Sequence, residues 1–281
     1  MGSTQTTPQL PEQRPMAAVD DHRLRSQFMR ALIASHPAPP PRGEPAPRVI
    51  VQFWDDRRTV PTDVEGCISG WATLDSQGYQ HVLFDDESAA DFIKEHLDDR
   101  HLRAFQACPH PAMRSDFFRY AFIWVNGGYY VDADDEYVGG SLAQTARAGG
   151  LQLRPLCYDI ASDQMIDAVG AASAASDAQR VFYVDTTPLI APAKHPIVGA
   201  ALRNAMENIL GASNENRDIQ SLTGPGNLTA SLVRHAIQLR QSSMPLDFSI
   251  LEDWNSVAVS KWPLSYRSDK RNWRLWQRGG E

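Results

Sequence analysis

The amino-acid sequence predicts an α/β fold in which helices cover a mainly parallel central sheet. Short apolar runs typical of buried strands alternate along the chain with longer segments whose apolar residues recur at helical spacing. Several of these runs end at aspartates or glycines, as strands do at the edge of a sheet. The 281 residues suffice for one large domain or two small ones.

The first apolar run, residues 49–54 (VIVQFW), ends at two aspartates and predicts a buried strand. A helix is predicted over residues 62–74, followed by a second strand over residues 81–84 (HVLF), again before two aspartates. Ser88 is the predicted cap of the next helix, because a serine side chain accepts hydrogen bonds from the free backbone N–H groups of a first turn.

Pro111 suits the first turn of a further helix, whose apolar stripe includes Phe117 and Trp124. This helix is predicted to end at Asn126-Gly127-Gly128, and residues 129–131 (YYV) predict a strand that leads directly into an acidic cluster. The remaining predicted elements are strands at 181–184 and 188–191 around a turn, helices at 196–210 and 227–239, and weaker strands at 248–251 and 257–259.

The composition divides the chain into two regions. Residues 1–47 contain nine of the 19 prolines, and we predict a largely disordered leader there, because such segments bury too little apolar surface to fold. Residues 48–281 are the predicted folded domain. Within the leader, residues 21–35 place Leu24, Phe28 and Leu32 four apart, which predicts one amphipathic helix. We expect this helix to dock on the domain, with binding to a partner as the alternative.

The overall composition excludes several classes of function. A formal net charge of −7 argues against nucleic-acid binding, which requires a basic face. The three cysteines have no CxxC or Cys/His metal spacing and are interpreted as reduced thiols. Because the sequence has no run of 18 apolar residues and no apolar secretory signal, we expect no transmembrane segment and a cytoplasmic location. Peripheral membrane attachment and secretion as an effector remain alternatives.

Asp132 and Asp134 are the main candidates for catalytic chemistry. They directly follow a predicted strand, and open α/β sheets bind ligands at the carboxyl ends of their strands. Residues two apart on an extended stretch point to the same side, so both carboxylates can hold a hard divalent cation such as Mg²⁺ or Mn²⁺. That cation would neutralise the negative charge of a diphosphate leaving group as the bond to it breaks.

An Asp-x-Asp triplet alone does not identify a site, because such triplets occur by chance in many solvated loops. An EF-hand would need glycine where Tyr137 stands, and a phosphatase motif would need threonine where Glu136 stands. On the preceding helix, Asp116 and Arg119 lie three apart and therefore share a face. They are either a local ion pair or part of a site at the end of the next strand.

Two motifs together resemble a known family. Residues 115–120 (SDFFRY) and 127–134 (GGYYVDAD) resemble the sDxxRy…GGxYxDxD signature of the DXD-containing glycosyltransferases. This group includes fungal mannosyltransferases, bacterial capsular polysaccharide transferases and, more distantly, the clostridial glucosylating toxins. Residues 223–229 (TGPGNLT) resemble a downstream element of the same family, and the likeness covers roughly residues 48–240. It implies a GT-A type, Rossmann-like domain.

The resemblance implies roles for individual residues. Asp134 would bind Mn²⁺ or Mg²⁺ directly, and Asp132 would contact the metal and the ribose. Asp116 and Arg119 would hydrogen-bond the donor sugar, beside Tyr130. Further donor-binding positions implied by the family are Trp54, stacked on the base, Gly224 and Pro225 in a loop near the reaction centre, and Trp273. Asn272 would take the place of a closing residue that reaches the metal, although the Ser-Trp pair of many relatives is missing here.

The implied reaction is retaining transfer of a hexose from a UDP- or GDP-sugar to an acceptor hydroxyl. The acceptor would be a glycan, a glycolipid or a protein. We favour polysaccharide or glycolipid biosynthesis over the alternative of a bacterial effector that modifies a protein. A nucleotidyltransferase is less favoured, since the sequence after the first strand is not a glycine-rich basic loop. A non-catalytic module that binds sugar nucleotides is also less favoured, since both acids of the triplet are present.

Overall fold

The computed structural model describes residues 22–35, 43–146, 149–175, 178–211, 218–251 and 253–278. The strands are β1 Val49–Phe53, β2 Gln80–Phe84, β3 Gly128–Tyr130, β4 Asp135–Tyr137, β5 Leu151–Asp159, β6 Gln164–Ile166, β7 Arg180–Ala191, β8 Phe248–Ile250 and β9 Ala258–Ser260. The helices are α1 His22–Ala34, α2 Thr62–Ala72, α3 Asp86–His96, α4 Asp99–Ala107, α5 Pro111–Asn126, α6 Leu142–Thr145, α7 Ala168–Ser173, α8 Pro196–Gly211, α9 Ile219–Leu222, α10 Pro225–Gln241 and α11 Trp273–Arg278.

Seven strands form the central sheet in the order β2-β1-β3-β7-β5-β6, with β8 also paired to β5. β1 is parallel to both β2 and β3, and β8 is parallel to β5, whereas β7 is antiparallel to β3 and β5. β6 is antiparallel to β5. Five strands therefore run in one direction and β6 and β7 run in the other, so the predicted α/β class with a mainly parallel sheet is confirmed.

Alternate residues of the central strands enter two separate hydrophobic cores. Val51 and Tyr130 belong to a large core under α1, α5, α8 and α10, whereas Ile50 and Tyr129 belong to a smaller core that contains Trp71 of α2. The smaller core also packs against β4 and β9, which form a separate two-stranded sheet. Burial on both faces explains why the central strands read as continuous apolar runs.

The predicted helix in the N-terminal region is present as α1, and it is docked. Phe28 and Leu32 are 6% and 3% exposed and belong to the large core. The Ser26 hydroxyl accepts the backbone N–H of Phe182 in β7 at 2.9 Å. α1 is thus part of the folded body, and of the two alternatives given for this helix the structure shows docking on the domain. Residues 1–21 and 36–42 lie outside the described residues, so disorder there stays a prediction.

Several predicted elements differ from the structure. The two strands predicted at 181–184 and 188–191 are one continuous strand, β7, and its partner β5 was not predicted. α4 was also missed. The cap of α3 is Asp85 and not Ser88; Asp85 accepts the backbone N–H of Ser88, while the Ser88 hydroxyl bonds back to the N–H of Asp85.

Two glycines control how α5 passes into β3. Gly127 has a φ of +68°, and a Cβ there would lie 2.6 Å from the backbone nitrogen of Ala193. Gly128 has a φ of +118°, and a Cβ there would lie 2.7 Å from the backbone oxygen of Val49. Glycine is the residue that tolerates both the positive φ and the close approach. This reversal places the segment after β3 opposite the first half of α5.

None of the helices in the described part of the chain has the length and apolarity that a bilayer span requires.

Candidate active site

A cavity of about 450 Å³ opens beyond the carboxyl ends of β1 and β3. Its walls come from the first turns of α5, the strands β5 and β7, and the C-terminal segment 260–274. Within the described residues, six aspartates and five arginines line it. Its size is in the range of small-molecule sites in proteins, and its dense mixed charge suits a ligand with both anionic and hydroxyl groups.

Asp132 lies two residues beyond β3 and is held by three neighbours. Its backbone N–H donates to the Thr187 hydroxyl at 3.1 Å, and its carbonyl accepts from the Gln52 amide at 3.0 Å. Its Oδ1 accepts from Arg119 at 3.0 Å, and the side chain is 30% exposed. Burial raises the pKa of Asp132, while the positive charge of Arg119 acts against that rise.

Asp134 faces the same cavity and is contacted from the C-terminal segment. Its Oδ2 accepts from the Tyr266 hydroxyl at 2.7 Å and forms an ion pair with Arg267. Burial raises the pKa of Tyr266, which keeps this hydroxyl protonated and able to donate. The side chain of Asp134 is 15% exposed. Asp132 and Asp134 are therefore brought together in one cavity, as the sequence predicts.

The pair fits a hard divalent cation. Across the described ranges, Oδ2 of Asp132 and Oδ1 of Asp134 receive no hydrogen bond, so each carboxylate keeps one oxygen available. Both are hard oxygen ligands of the kind that Mg²⁺ and Mn²⁺ prefer. No cluster of three or more His, Cys, Asp or Glu side chains suited to a metal occurs in the described part of the protein. The remaining positions on an ion would fall to water and to a phosphate-bearing ligand.

Asn272, the third proposed metal ligand, lines the cavity, but its side chain is used elsewhere. Its Nδ2 donates to the carbonyl of Arg267 at 2.7 Å, and its Oδ1 accepts from the backbone N–H of Arg274 at 3.2 Å. Asn272 in this arrangement organises the turn before α11. Ligation of a metal by Asn272 stays a prediction. It would require the Oδ1 of Asn272 to give up its hydrogen bond from the backbone N–H of Arg274.

Arg119 is buried and directed at protein acceptors. One terminal nitrogen donates to the carbonyl and hydroxyl of Thr186 at 2.9 and 2.8 Å. The other donates to the Ser115 hydroxyl at 3.0 Å and forms ion pairs with Asp132 and Asp116, at 3.0 and 3.1 Å. The side chain is 4% exposed. Arg119 thus connects α5, β7 and residues 132–134, which we call the acidic triplet. It forms the local ion pair with Asp116 and also contacts Asp132 at the end of the next strand.

Asp116 lies at the inner end of the cavity. Burial raises its pKa to about 6, although Arg119 acts in the opposite direction. Its Oδ2 accepts from the Thr223 hydroxyl at 3.1 Å. A Cβ on Gly224 would lie 3.3 Å from the same oxygen, and Pro225 lines the cavity, so this loop borders the cavity. The donor-binding roles of Gly224 and Pro225 stay a prediction.

The aromatic candidates occupy different positions. Trp54 and Trp273 line the cavity. Trp54 is 7% exposed, makes an edge contact with Tyr266, and has the Arg271 guanidinium 5.4 Å from its ring centre. Tyr130 is 0% exposed and lies beneath Arg119, with its hydroxyl 2.7 Å from Ser115. Tyr130 therefore supports the cavity from behind, and its proposed place beside the donor stays a prediction.

The structure adds site residues that were not identified from the sequence. Tyr266 and Arg267 reach Asp134 from the C-terminal segment, and Arg271 of the same segment forms an ion pair with Asp55 beside Trp54. Asp135 is 4% exposed, and its Oδ2 accepts from the Thr187 hydroxyl at 2.8 Å. Asp185 also lines the cavity, from a position within β7 where the sequence predicts a turn between two strands.

Comparison with known proteins supports the resemblance seen in the sequence. Residues 61–144 match the family described as "Glycosyltransferase sugar-binding region containing DXD motif". This range includes Asp116, Arg119, Asp132 and Asp134. A solved structure described as "PaToxG Glycosyltransferase" aligns with 92% of this chain and 94% of its own, at 16% identity and a TM-score of 0.45.

Two curated relatives are mannosyltransferases by name. "Initiation-specific alpha-1,6-mannosyltransferase" of Candida albicans is 24% identical over 269 residues, covering 85% of this chain and 63% of the relative. "Inositol phosphoceramide mannosyltransferase 2" of Schizosaccharomyces pombe is 33% identical over 94 residues, covering 33% of this chain and 26% of the relative. The chain thus spans less than two thirds of either. Together with the family match, these relatives show that the chain is similar to glycosyltransferases whose sugar-binding region contains a DXD motif.

Proposed function

We propose that this protein is a metal-dependent hexosyltransferase. It moves a hexose from a nucleotide-diphosphate sugar to an acceptor hydroxyl, with retention of the anomeric configuration. The observation that carries the proposal is the convergence of Asp132 and Asp134 in one cavity, each with one carboxylate oxygen available. Arginines around the pair supply the positive charge that a diphosphate needs.

Different residues of this chain contact the metal, the nucleotide and the sugar. Mn²⁺ or Mg²⁺, held by Asp132 and Asp134, would supply Lewis-acid stabilisation of the leaving diphosphate. Arg271 lies beside Trp54 and gives that end of the cavity a cationic and aromatic wall for the nucleotide. Asp116, supported by Thr223 and Arg119, faces the sugar and accepts hydrogen bonds from its hydroxyls. We assign no catalytic base.

The substrate proposal follows the names of the relatives. Both are called mannosyltransferases, so we propose mannose as the transferred hexose and GDP-mannose as the first donor to test. A glycan or glycolipid acceptor, and a role in polysaccharide or glycolipid biosynthesis, accord with those names better than a protein acceptor does. We propose a cytoplasmic location for this activity.

A donor hydrolysis screen tests the proposal. The purified chain is incubated with GDP-mannose, UDP-glucose, UDP-galactose or UDP-N-acetylglucosamine, with Mn²⁺ or with a chelator, and the released nucleotide is measured. We expect release from one donor with Mn²⁺ and a loss of about 100-fold or more in Asp134→Asn. Glu136→Gln is the matched control, because this neighbouring acid pairs with Lys261 and is 43% exposed. Release that is equal in Asp134→Asn and Glu136→Gln would refute the assignment.

A further inference from the structure

The strands β5 and β7 continue past the end of β3 and form a wall of the cavity. Tyr130, the last residue of β3, pairs with Leu189, whereas the pairing of β7 with β5 continues to Arg180 and Asp159. One face of this extension carries Phe182 and Val184 into the large core. The opposite face carries Tyr183, Asp185, Arg154 and Leu156 toward the cavity.

We propose that this wall binds a carbohydrate acceptor, an inference that rests on the proposed transferase function. In the sheet, β1 lies on one side of β3 and β7 lies on the other. The acidic pair at the end of β3 therefore separates Trp54, at the end of β1, from Asp185 on β7. If the nucleotide occupies the Trp54 end and its diphosphate meets the acidic pair, the acceptor must approach from the β7 side.

The charged groups of the wall suit a neutral polyol. Asp185 Oδ1 accepts the backbone N–H groups of Thr186 and Thr187, at 2.8 and 3.4 Å. Its Oδ2 lies 3.9 Å from Arg154, too far for a direct hydrogen bond. A sugar hydroxyl, which both donates and accepts, can bridge these two groups. Because the carboxylate offsets the guanidinium charge, the pair does not select for an anionic acceptor.

Apolar and aromatic surfaces complete the wall. The Tyr183 hydroxyl donates to the sulfur of Met165, which is 48% exposed. Trp262, which also lines the cavity, is 56% exposed, with the Arg267 guanidinium 3.5 Å from its ring centre. Flat aromatic and thioether surfaces next to a hydrogen-bonding pair match the C–H faces and hydroxyl edges of a pyranose ring.

Saturation-transfer NMR tests this site directly, using methyl glycosides of mannose, glucose, galactose and N-acetylglucosamine as probes. Each is added to the full chain with GDP and Mg²⁺, which is diamagnetic and does not broaden the NMR signals. We expect saturation to pass from the wild-type protein to at least one glycoside. Asp185→Asn and Tyr183→Ala should each weaken this saturation-transfer signal about fivefold or more. Affinity for GDP, measured by calorimetry, should change by less than about twofold, since the nucleotide lies on the other side of the acidic pair.

Asp159→Asn is the matched control. Asp159 also lies on the β5–β7 pair, accepts two backbone N–H groups, and has an arginine, Arg180, at 3.9 Å, but it does not line the cavity. It should leave the glycoside signal unchanged. The inference fails if no glycoside is saturated, if Asp159→Asn and Asp185→Asn act alike, or if the chain glycosylates polypeptide without binding a glycoside. Absence of donor hydrolysis by the wild type would refute the proposed function separately, because glycoside binding is measured without a donor sugar.

Discussion

Replacement of Arg119 by methionine removes the buried cation that joins α5, β7 and the acidic triplet. Asp116 and Asp132 lie 3.1 and 3.0 Å from the guanidinium. At an effective dielectric constant of about 20, each attraction amounts to about 5 kcal/mol before the cost of desolvation. Breaking a buried pair by removing one partner typically costs about 3–5 kcal/mol. We therefore expect Arg119→Met to lower the free energy of unfolding by about 3–5 kcal/mol.

Urea unfolding followed by tryptophan fluorescence, with a chelator present, measures this loss. Arg58→Met is the control, because the Arg58–Asp56 pair is exposed to solvent, and it should lower the free energy of unfolding far less than Arg119→Met does. A second change, Asp116→Asn, should restore part of the stability of Arg119→Met by neutralising one of the two uncompensated carboxylates. A loss in Arg119→Met no larger than that in Arg58→Met would refute the claim that this cation holds the site together.

Three further predictions concern the scaffold. Leu32→Ala in α1 should lower the free energy of unfolding, measured in urea, by about 2–4 kcal/mol. Gln27 of the same helix is exposed, so Gln27→Ala should change it by less than about 0.5 kcal/mol. Equal effects of the two substitutions would mean that α1 is not docked. Gly127→Ala should lower the melting temperature far more than Gly139→Ala. Gly139 also has a positive φ, but no atom lies within 4 Å of a Cβ added there. Similar shifts in melting temperature would contradict the close approach of the Ala193 backbone to Gly127. Although burial favours the neutral acid, hydrogen bonds from Ser88 and an ion pair lower the pKa of Asp85 to about 2. The ionised Asp85 side chain therefore stabilises the fold above its unfolded pKa, and this stabilisation is lost as the pH falls toward 2. The difference in free energy of unfolding between the wild type and Asp85→Asn should narrow in acid. A difference that stays constant with pH would contradict the lowered pKa of Asp85.

The parts of the site that lie close together in sequence could be predicted. Residues 111–134 form a helix, a glycine reversal, a strand and an acidic triplet, and each step has a local signal in the side chains themselves. The same locality explains why Asp116 and Arg119 were identified, since three-residue spacing on a helix fixes their common face.

The rest of the site depends on contacts between distant segments. Tyr266 and Arg267 reach Asp134 across more than 130 positions, and nothing in the residues around them indicates that partner. β7 was read as two strands because Thr186-Thr187-Pro188 resembles a turn; its pairing with β5 on one side and β3 on the other keeps it extended. β5 was missed because Arg154 and Pro155 interrupt its apolar pattern.

The length of β7 has a consequence for how this chain can be altered. Near the beginning of β7, the backbone N–H of Phe182 donates to the Ser26 hydroxyl of α1. Farther along the same strand, Asp185 lines the cavity and the Thr187 hydroxyl accepts the backbone N–H of Asp132. Insertion or deletion of a single residue within β7 would exchange its inward and outward positions and uncouple all three contacts at once. Natural and engineered variants should therefore tolerate substitutions within β7, whereas insertions and deletions should be confined to the connections at its two ends.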